Sequence, residues 1–92
     1  MSRRRVGHVA VLGGGIAGVA AALSLAQRGV RVTLIESRDR LGGRASSFFD
    51  VKTGLWLDNC QHVTLGCCTN YIRLCRMLGV HHLIRWDDEQ YW

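Results

Sequence analysis

Three apolar segments organise the first third of the chain. Val9-Ala10-Val11-Leu12 is a short apolar run that ends in glycines, the pattern of a strand buried on both faces. Residues 16–28 are rich in Ala and Leu, with no proline and no β-branched run beyond Val19, which favours helix. Gly29 stands where such a helix wants a left-handed residue at its end. Val30-Arg31-Val32-Thr33-Leu34-Ile35 is apolar and β-branched, so a second strand follows. Strand, glycine turn, helix and strand in this order predict a βαβ unit over residues 8–36, with a right-handed crossover and a parallel pair of strands.

Past Glu36 the pattern changes. A polar stretch from Ser37 to Arg40 leads into a loop, Leu41-Gly42-Gly43-Arg44. Phe48 to Asp50 and Leu55 to Asp58, separated by Lys52-Thr53-Gly54, predict a small hairpin, so that residues 37–66 hold a loop and a hairpin. Cys68, Ile72, Cys75 and Leu78 recur near helical spacing and Gly79 can cap them, which predicts a helix over 67–79 with Cys67, Cys68 and Cys75 as core packing. Residues 80–92 begin a further element, with Leu83 to Trp86 as a strand. A parallel pair needs more strands beside it and cover on both faces. The fold class is therefore α/β, and the chain reads as the N-terminal portion of a larger domain.

Composition narrows the classes of function. Apolar residues make up 48% and charged residues 21% of the 92 positions, a globular balance that excludes a disordered, collagen-like or mucin-like chain. The net charge of +5 includes the cluster Arg3, Arg4 and Arg5, but the remaining arginines are scattered. No basic face with interleaved aromatics emerges, so a nucleic-acid partner is not expected. Arg3 to Arg5 followed by an uncharged stretch from Val9 to Gln27 imitates an export signal or a membrane span. Gly13, Gly14, Gly15 and Gly18 interrupt that stretch as a turn would, and a strand follows it. Without an export signal the four cysteines, Cys60, Cys67, Cys68 and Cys75, read as reduced. They contain no C-x-x-C pair, and His81-His82 lacks companion ligands, so no metal site is expected.

The residues that carry chemistry lie at the first strand–helix junction. In Gly13-x-Gly15-x-x-Gly18 the first glycine makes the turn, the second lets backbone approach a pyrophosphate, and the third allows close helix–strand packing. The helix N-terminus, Ile16 and Ala17 with Gly18, then offers free N–H groups and a positive dipole end to anionic phosphates. Glu36, 23 positions after Gly13, ends the second strand, where its carboxylate can accept hydrogen bonds from both hydroxyls of an adenosine ribose, with Ser37 beside it. A carboxylate there repels a 2′-phosphate, which disfavours NADP. The alternative for the bare motif is an alanine-glycine helix packed tightly on a strand. Agreement of strand, helix, second strand and terminal acid favours the Rossmann-type dinucleotide-binding unit instead.

Gly13, Gly15, Gly18, Ala22, Leu25, Gly29, Val32, Glu36, Gly42, Gly43 and Arg44 together resemble the long fingerprint of FAD-binding oxidoreductases of the amine oxidase and phytoene desaturase superfamily. The resemblance implies FAD as cofactor, with the Gly42-Gly43-Arg44 loop lying along it and Arg44 near the diphosphate. Small glycines and a bidentate guanidinium suit that role; a solvated surface arginine is the plain alternative for Arg44. From Leu57 to Cys68 the chain is similar to the squalene-associated branch, that of the hydroxysqualene dehydroxylases. The likeness runs from about His8 to Trp86 and covers only the N-terminal part of a family several times longer. Asp58-Asn59 is commonly followed by glycine there, whereas here Cys60 takes that place.

On this resemblance Gln61 and His62 lie near the flavin. Cys60 and His62 could share one strand face as a nucleophile pair, but the sequence supplies no orienting third group, so a buried cysteine beside a hydrogen-bonded histidine that shapes the site is the preferred reading. Catalytic residues stay unassigned, since the substrate-binding part lies elsewhere. The implied reaction is reductive removal of the hydroxyl of hydroxysqualene to give squalene, a step of squalene and hopanoid synthesis, with the hydride equivalent supplied by reduced flavin. A lipid substrate implies contact with a membrane surface; the expected location is cytoplasmic, with peripheral contact at the inner face of the membrane left open, as is the oligomeric state. Arg3 to Arg5 could add attraction to anionic lipid. Other readings are another desaturase or amine oxidase of the superfamily, a stand-alone nucleotide-binding module without catalysis, and an inert fragment.

Overall fold

The structure, a computed structural model, describes residues 7–60 and 63–89. The chain divides into two compact units, Met1–His62 and Val63–Trp92.

In the first unit β1 (His8–Leu12) and β2 (Arg31–Ile35) pair in parallel, in register from His8 opposite Arg31 to Leu12 opposite Ile35. Helix α1 (Ile16–Gln27) connects them and packs on both. The strands alternate: Val9, Val11, Val32 and Leu34 are half-buried, as are Val19, Ala22, Leu23 and Leu25 of the helix. The opposite strand positions, His8, Ala10, Leu12, Arg31, Thr33 and Ile35, are exposed, with Leu12 at 79%. Burial on both faces, anticipated from the apolar run, is thus not found: one helix covers one face of a two-stranded sheet, and no described element covers the other. Polar groups occupy one end of that open face. Arg31 donates to Nδ1 of His8 at 3.3 Å, which leaves Nε2 to donate to Thr33 Oγ1 at 2.7 Å.

The end of α1 shows why the chain turns back where it does. Gly29 takes φ +78°, and the N–H groups of Gly29 and Val30 return to the carbonyls of Ala26 and Leu25 at 3.0 and 3.1 Å. This double bond satisfies carbonyls that the helix end would otherwise leave open.

Strands β3 (Ser47–Asp50) and β4 (Leu55–Asp58) form a separate antiparallel ribbon. Asp50 organises its turn: its carboxylate accepts from the Thr53 N–H at 3.2 Å and from the Thr53 hydroxyl at 2.7 Å. Those hydroxyl and amide donors hold the Asp50 carboxyl below its ordinary value, against a smaller desolvation. Phe49 and Trp56 meet edge to face with ring centroids 5.7 Å apart.

In the second unit α2 spans Thr69–Met77, shorter than the helix expected over 67–79. Leu74 and Cys75 are buried, with Ile72 and Met77 half-buried beside them. Cys67 and Cys68 are exposed, which corrects their assignment to the core. The reason is local: Cys68, at φ −79° and ψ 62°, is the N-cap and lies outside the helix, its carbonyl accepting from Ile72 N–H at 3.1 Å. Burial first, and then the neighbouring Cys75 thiol, raise the Tyr71 phenol above its ordinary value of 10, with Thr64 pulling weakly the other way. The strand expected at Leu83 to Trp86 is not found. His81–Leu83 forms a single 3-10 turn and residues 84–86 pair with no described strand. Among the described residues no helix is long and apolar enough to cross a membrane.

Candidate cofactor site

The site is built where β1 hands over to α1. Gly13 leaves the strand at φ +99°, and its N–H is pinned to the carbonyl of Ile35 at the end of β2, 2.8 Å away. The turn therefore sits on the carboxyl edge of both strands, where open parallel sheets place their ligands. Gly15 is the N-cap of α1 in extended conformation, and the first helical bond runs from Val19 N–H to Gly15 O at 2.9 Å. The amides of Ile16, Ala17 and Gly18 precede that bond. Among the described residues no side chain caps them, and no acid stands in the first turn, so this end of the helix offers an anion both donors and the positive end of a dipole.

Gly18 holds the helix against the turn. A Cβ there would collide with the carbonyl oxygen of Gly13 and stand 2.9 Å from its carbonyl carbon. The close approach expected of the third glycine is thus a backbone-to-backbone contact.

Glu36 follows β2 and points back over the turn. Its Oε2 accepts the N–H of Gly14 at 2.5 Å, and its Oε1 receives a longer contact from Arg38 N–H at 3.4 Å. The Gly14 amide above all, then the Arg38 amide and the amide and hydroxyl of Ser37, pull the carboxyl below its ordinary 4.5, against a smaller desolvation. The group is an anion at neutral pH, held in one orientation with Oε1 the less engaged oxygen.

The Gly-Gly-Arg loop lies across the same turn. Gly42 N–H donates to Gly14 O at 2.8 Å, and Gly15 and Gly42 form a parallel bridge. A Cβ on Gly43 would stand 3.3 Å from the Gly15 Cα. Gly42 itself takes φ +116°, a conformation that side chains disfavour. Leu41 and Glu36 close over Gly14: Leu41 Cδ2 lies 2.5 Å, and Glu36 Oε2 2.8 Å, from the point its Cβ would occupy.

Arg44 is exposed at the end of this strap, and its carbonyl accepts from Asn59 Nδ2 at 3.1 Å. With Asn59 N–H on Ser46 O at 2.8 Å, the Asp58-Asn59 segment ties the end of β4 to the strap. Gly13, Gly15, Ile16, Ala17, Gly18, Glu36, Ser37, Gly42, Gly43 and Arg44 thus belong to three adjoining segments of one unit. Gln61 and His62 lie outside the described residues, so the pairing of Cys60 with His62 does too; Cys60 itself is exposed, which corrects the expectation of a buried cysteine there. Gly14 was missed by sequence reasoning. Its N–H goes to the acid, its carbonyl to the strap, and it is buried, yet the fingerprint leaves its position open. The run of three glycines was the available signal.

Open amides at a helix N-terminus, Gly14, Gly18 and Gly42 with no room for a Cβ atom, and an oriented carboxylate fit the pyrophosphate and ribose of a dinucleotide. The comparison with known families decides which one. The family model of flavin containing amine oxidoreductases matches residues 16–92. The chain belongs to this family. Its cofactor is accordingly FAD. The chain is similar to hydroxysqualene dehydroxylase of Rhodopseudomonas palustris, 47% identical over 57 residues, which cover 62% of this chain and 14% of the relative. It is also similar to the chloroplastic/chromoplastic 15-cis-phytoene desaturase of Narcissus pseudonarcissus, 36% identical over 81 residues, 88% of this chain and 14% of the relative. A third likeness is to the L-amino-acid oxidase of Bungarus fasciatus, 49% identical over 51 residues, 55% of this chain and 10% of the relative. The chain therefore spans about a seventh of the length of the first two relatives.

Proposed function

We propose that this chain is the Rossmann-type FAD-binding segment of a flavin-dependent oxidoreductase that acts on an isoprenoid lipid, with hydroxysqualene as substrate and squalene as product. The observation that carries the cofactor half is the docking of the Gly42-Gly43 strap on the Gly13–Gly15 turn beside Glu36. Gly13, Gly15 and the amides of Ile16, Ala17 and Gly18 hold the pyrophosphate, Glu36 and Ser37 the ribose, and Gly42, Gly43 and Arg44 the flank of the diphosphate. When bound, the reduced cofactor supplies hydride chemistry; over the whole reaction the substrate's C–O bond is replaced by C–H and the hydroxyl leaves as water. The substrate half is supported by the likeness to hydroxysqualene dehydroxylase over 57 residues.

The second reading is desaturation of a carotenoid precursor, favoured by the phytoene desaturase likeness that covers 88% of the chain. The test has two parts. The natural product is sized from its source cells with an antibody to this segment, and the intact protein is then purified and assayed with hydroxysqualene, phytoene and L-amino acids. Squalene formed from hydroxysqualene with reduced FAD supports the proposal. Turnover of phytoene or of an amino acid in its place overturns the substrate. A product no longer than this chain that binds FAD without turnover leaves a nucleotide-binding module.

A further inference from the structure

We infer that Leu41 is a positioning residue for the cofactor: its side chain closes over the Gly14–Glu36 hydrogen bond and holds the Glu36 carboxylate ready for the ribose. The inference rests on the FAD reading and deepens it. Leu41 is an apolar residue at the end of the polar stretch Ser37 to Arg40, and half of its surface is open to solvent. The covered part is informative. Its Cδ2 and the Oε2 and Cβ of Glu36 are the atoms nearest the α-carbon face of Gly14, and Gly14 is buried although Gly13 before it is exposed.

The strap cannot slide to another register without losing the Gly42 N–H bond to Gly14 O at 2.8 Å and the bridge to Gly15. That register places the residue before Gly42 opposite Gly14. An apolar side chain there keeps water from the Gly14 N–H, and an amide bonded to an ionised acceptor is stronger where water is excluded. Glu36 is then held through Oε2, which leaves Oε1, with its 3.4 Å contact to Arg38, the oxygen open to a ligand hydroxyl. A carboxylate ordered before the ligand arrives removes an ordering cost from binding. Leu41 thus acts through Glu36, and its effect belongs to the adenosine end of the cofactor.

The experiment is a double-mutant cycle on FAD affinity in the intact apoprotein, comparing wild type, Leu41→Ala, Glu36→Gln and the double variant, with Leu41→Met as the conservative control. Leu41→Ala is expected to weaken FAD about tenfold, and by less than about twofold once Glu36 is already Gln. Leu41→Met is expected to stay within about threefold of wild type, because it keeps an apolar chain of similar volume. Faster amide exchange at Gly14 in Leu41→Ala, with α1 unchanged, would locate the effect at the shielded bond. Equal losses in both backgrounds would make Leu41 a merely structural residue and overturn the inference, as would no loss in either. If Glu36→Gln leaves FAD affinity unchanged, the ribose assignment itself fails; if Glu36→Gln weakens FAD and Leu41→Ala does not, the role of Leu41 alone fails.

Discussion

Gly18→Ala gives the most direct test of how the turn and helix are built. On helix propensity alone the change is favourable, since alanine is better than glycine by about 1 kcal/mol inside a helix. The structure reverses the sign. The added Cβ would overlap the Gly13 carbonyl oxygen and lie 2.9 Å from the carbonyl carbon, and both are backbone atoms that no rotamer can move. Relief requires the helix to lift from the turn, or the turn to break the Gly13 N–H bond to Ile35 O. Overpacking of this kind costs about 3 kcal/mol at the upper end of the usual range. Less the propensity gain, a net loss of about 2 kcal/mol is expected. Amide exchange from α1 reads it locally, whatever the length of the intact protein, as opening about 30-fold more frequent. Ala21→Gly, on the exposed side of the same helix, calibrates the propensity scale in the opposite direction at about 1 kcal/mol. FAD affinity should fall with Gly18→Ala and not with Ala21→Gly. Exchange as slow as wild type or slower in Gly18→Ala would refute the contact and the tight helix–turn junction built on it.

Three further outcomes are expected. Because the Glu36 carboxyl is depressed in the folded chain, its stabilisation is present above the ordinary value of 4.5 and is lost as pH falls through its lower folded value. The stability difference between wild type and Glu36→Gln should be constant at neutral pH and shrink only below 4.5 in a pH series of denaturation; a difference that fades nearer neutrality would contradict the assigned bonds. Gly42→Ala meets the Ala45 carbonyl oxygen at 2.9 Å at φ +116°, whereas Gly54→Ala at φ +69° meets nothing within 4 Å. The first should cost clearly more than the second, whose backbone penalty alone is about 1–2 kcal/mol, and should also weaken FAD binding; equal thermal shifts would remove the strap's special geometry. In a spectrophotometric titration Cys75→Ala should bring the Tyr71 phenol back down toward 10, and an unchanged midpoint would show that Cys75 does not face it.

Local structure was legible where one signal sufficed. The Ala-Leu composition of residues 16–27, the glycine that stops them and the β-branched residues of β2 each act over a few neighbours, and the elements stand close to where those signals put them. The hairpin was legible for the same reason, its turn closed by Asp50 on Thr53 three residues away. Reading failed where burial or termination depends on neighbours. Leu12 belongs to an apolar run and is 79% exposed, because the covering of a second sheet face is a property of other elements. Cys68 fits a helical period yet it and Cys67 before it stay outside α2, since a period does not say which residue will serve as the N-cap. Leu83 to Trp86 carry β-type residues without a partner strand among those described, and a strand exists only in its pairing.

The sequence by itself determined which residue types the candidate site contains: three glycines at fixed intervals, an acid after the second strand, and a Gly-Gly-Arg loop a few residues on. Such intervals suffice because a strand, a tight turn and a helix have fixed dimensions, so spacing along the chain translates directly into position. Only the tertiary structure decided how those pieces meet. The 27 residues between Gly14 and Gly42 are closed by one hydrogen bond, Gly14 becomes the residue shared by acid and strap, and Leu41 comes to lie over Gly14. These contacts join segments distant in sequence through the parallel pairing of β1 and β2, and no local propensity encodes them.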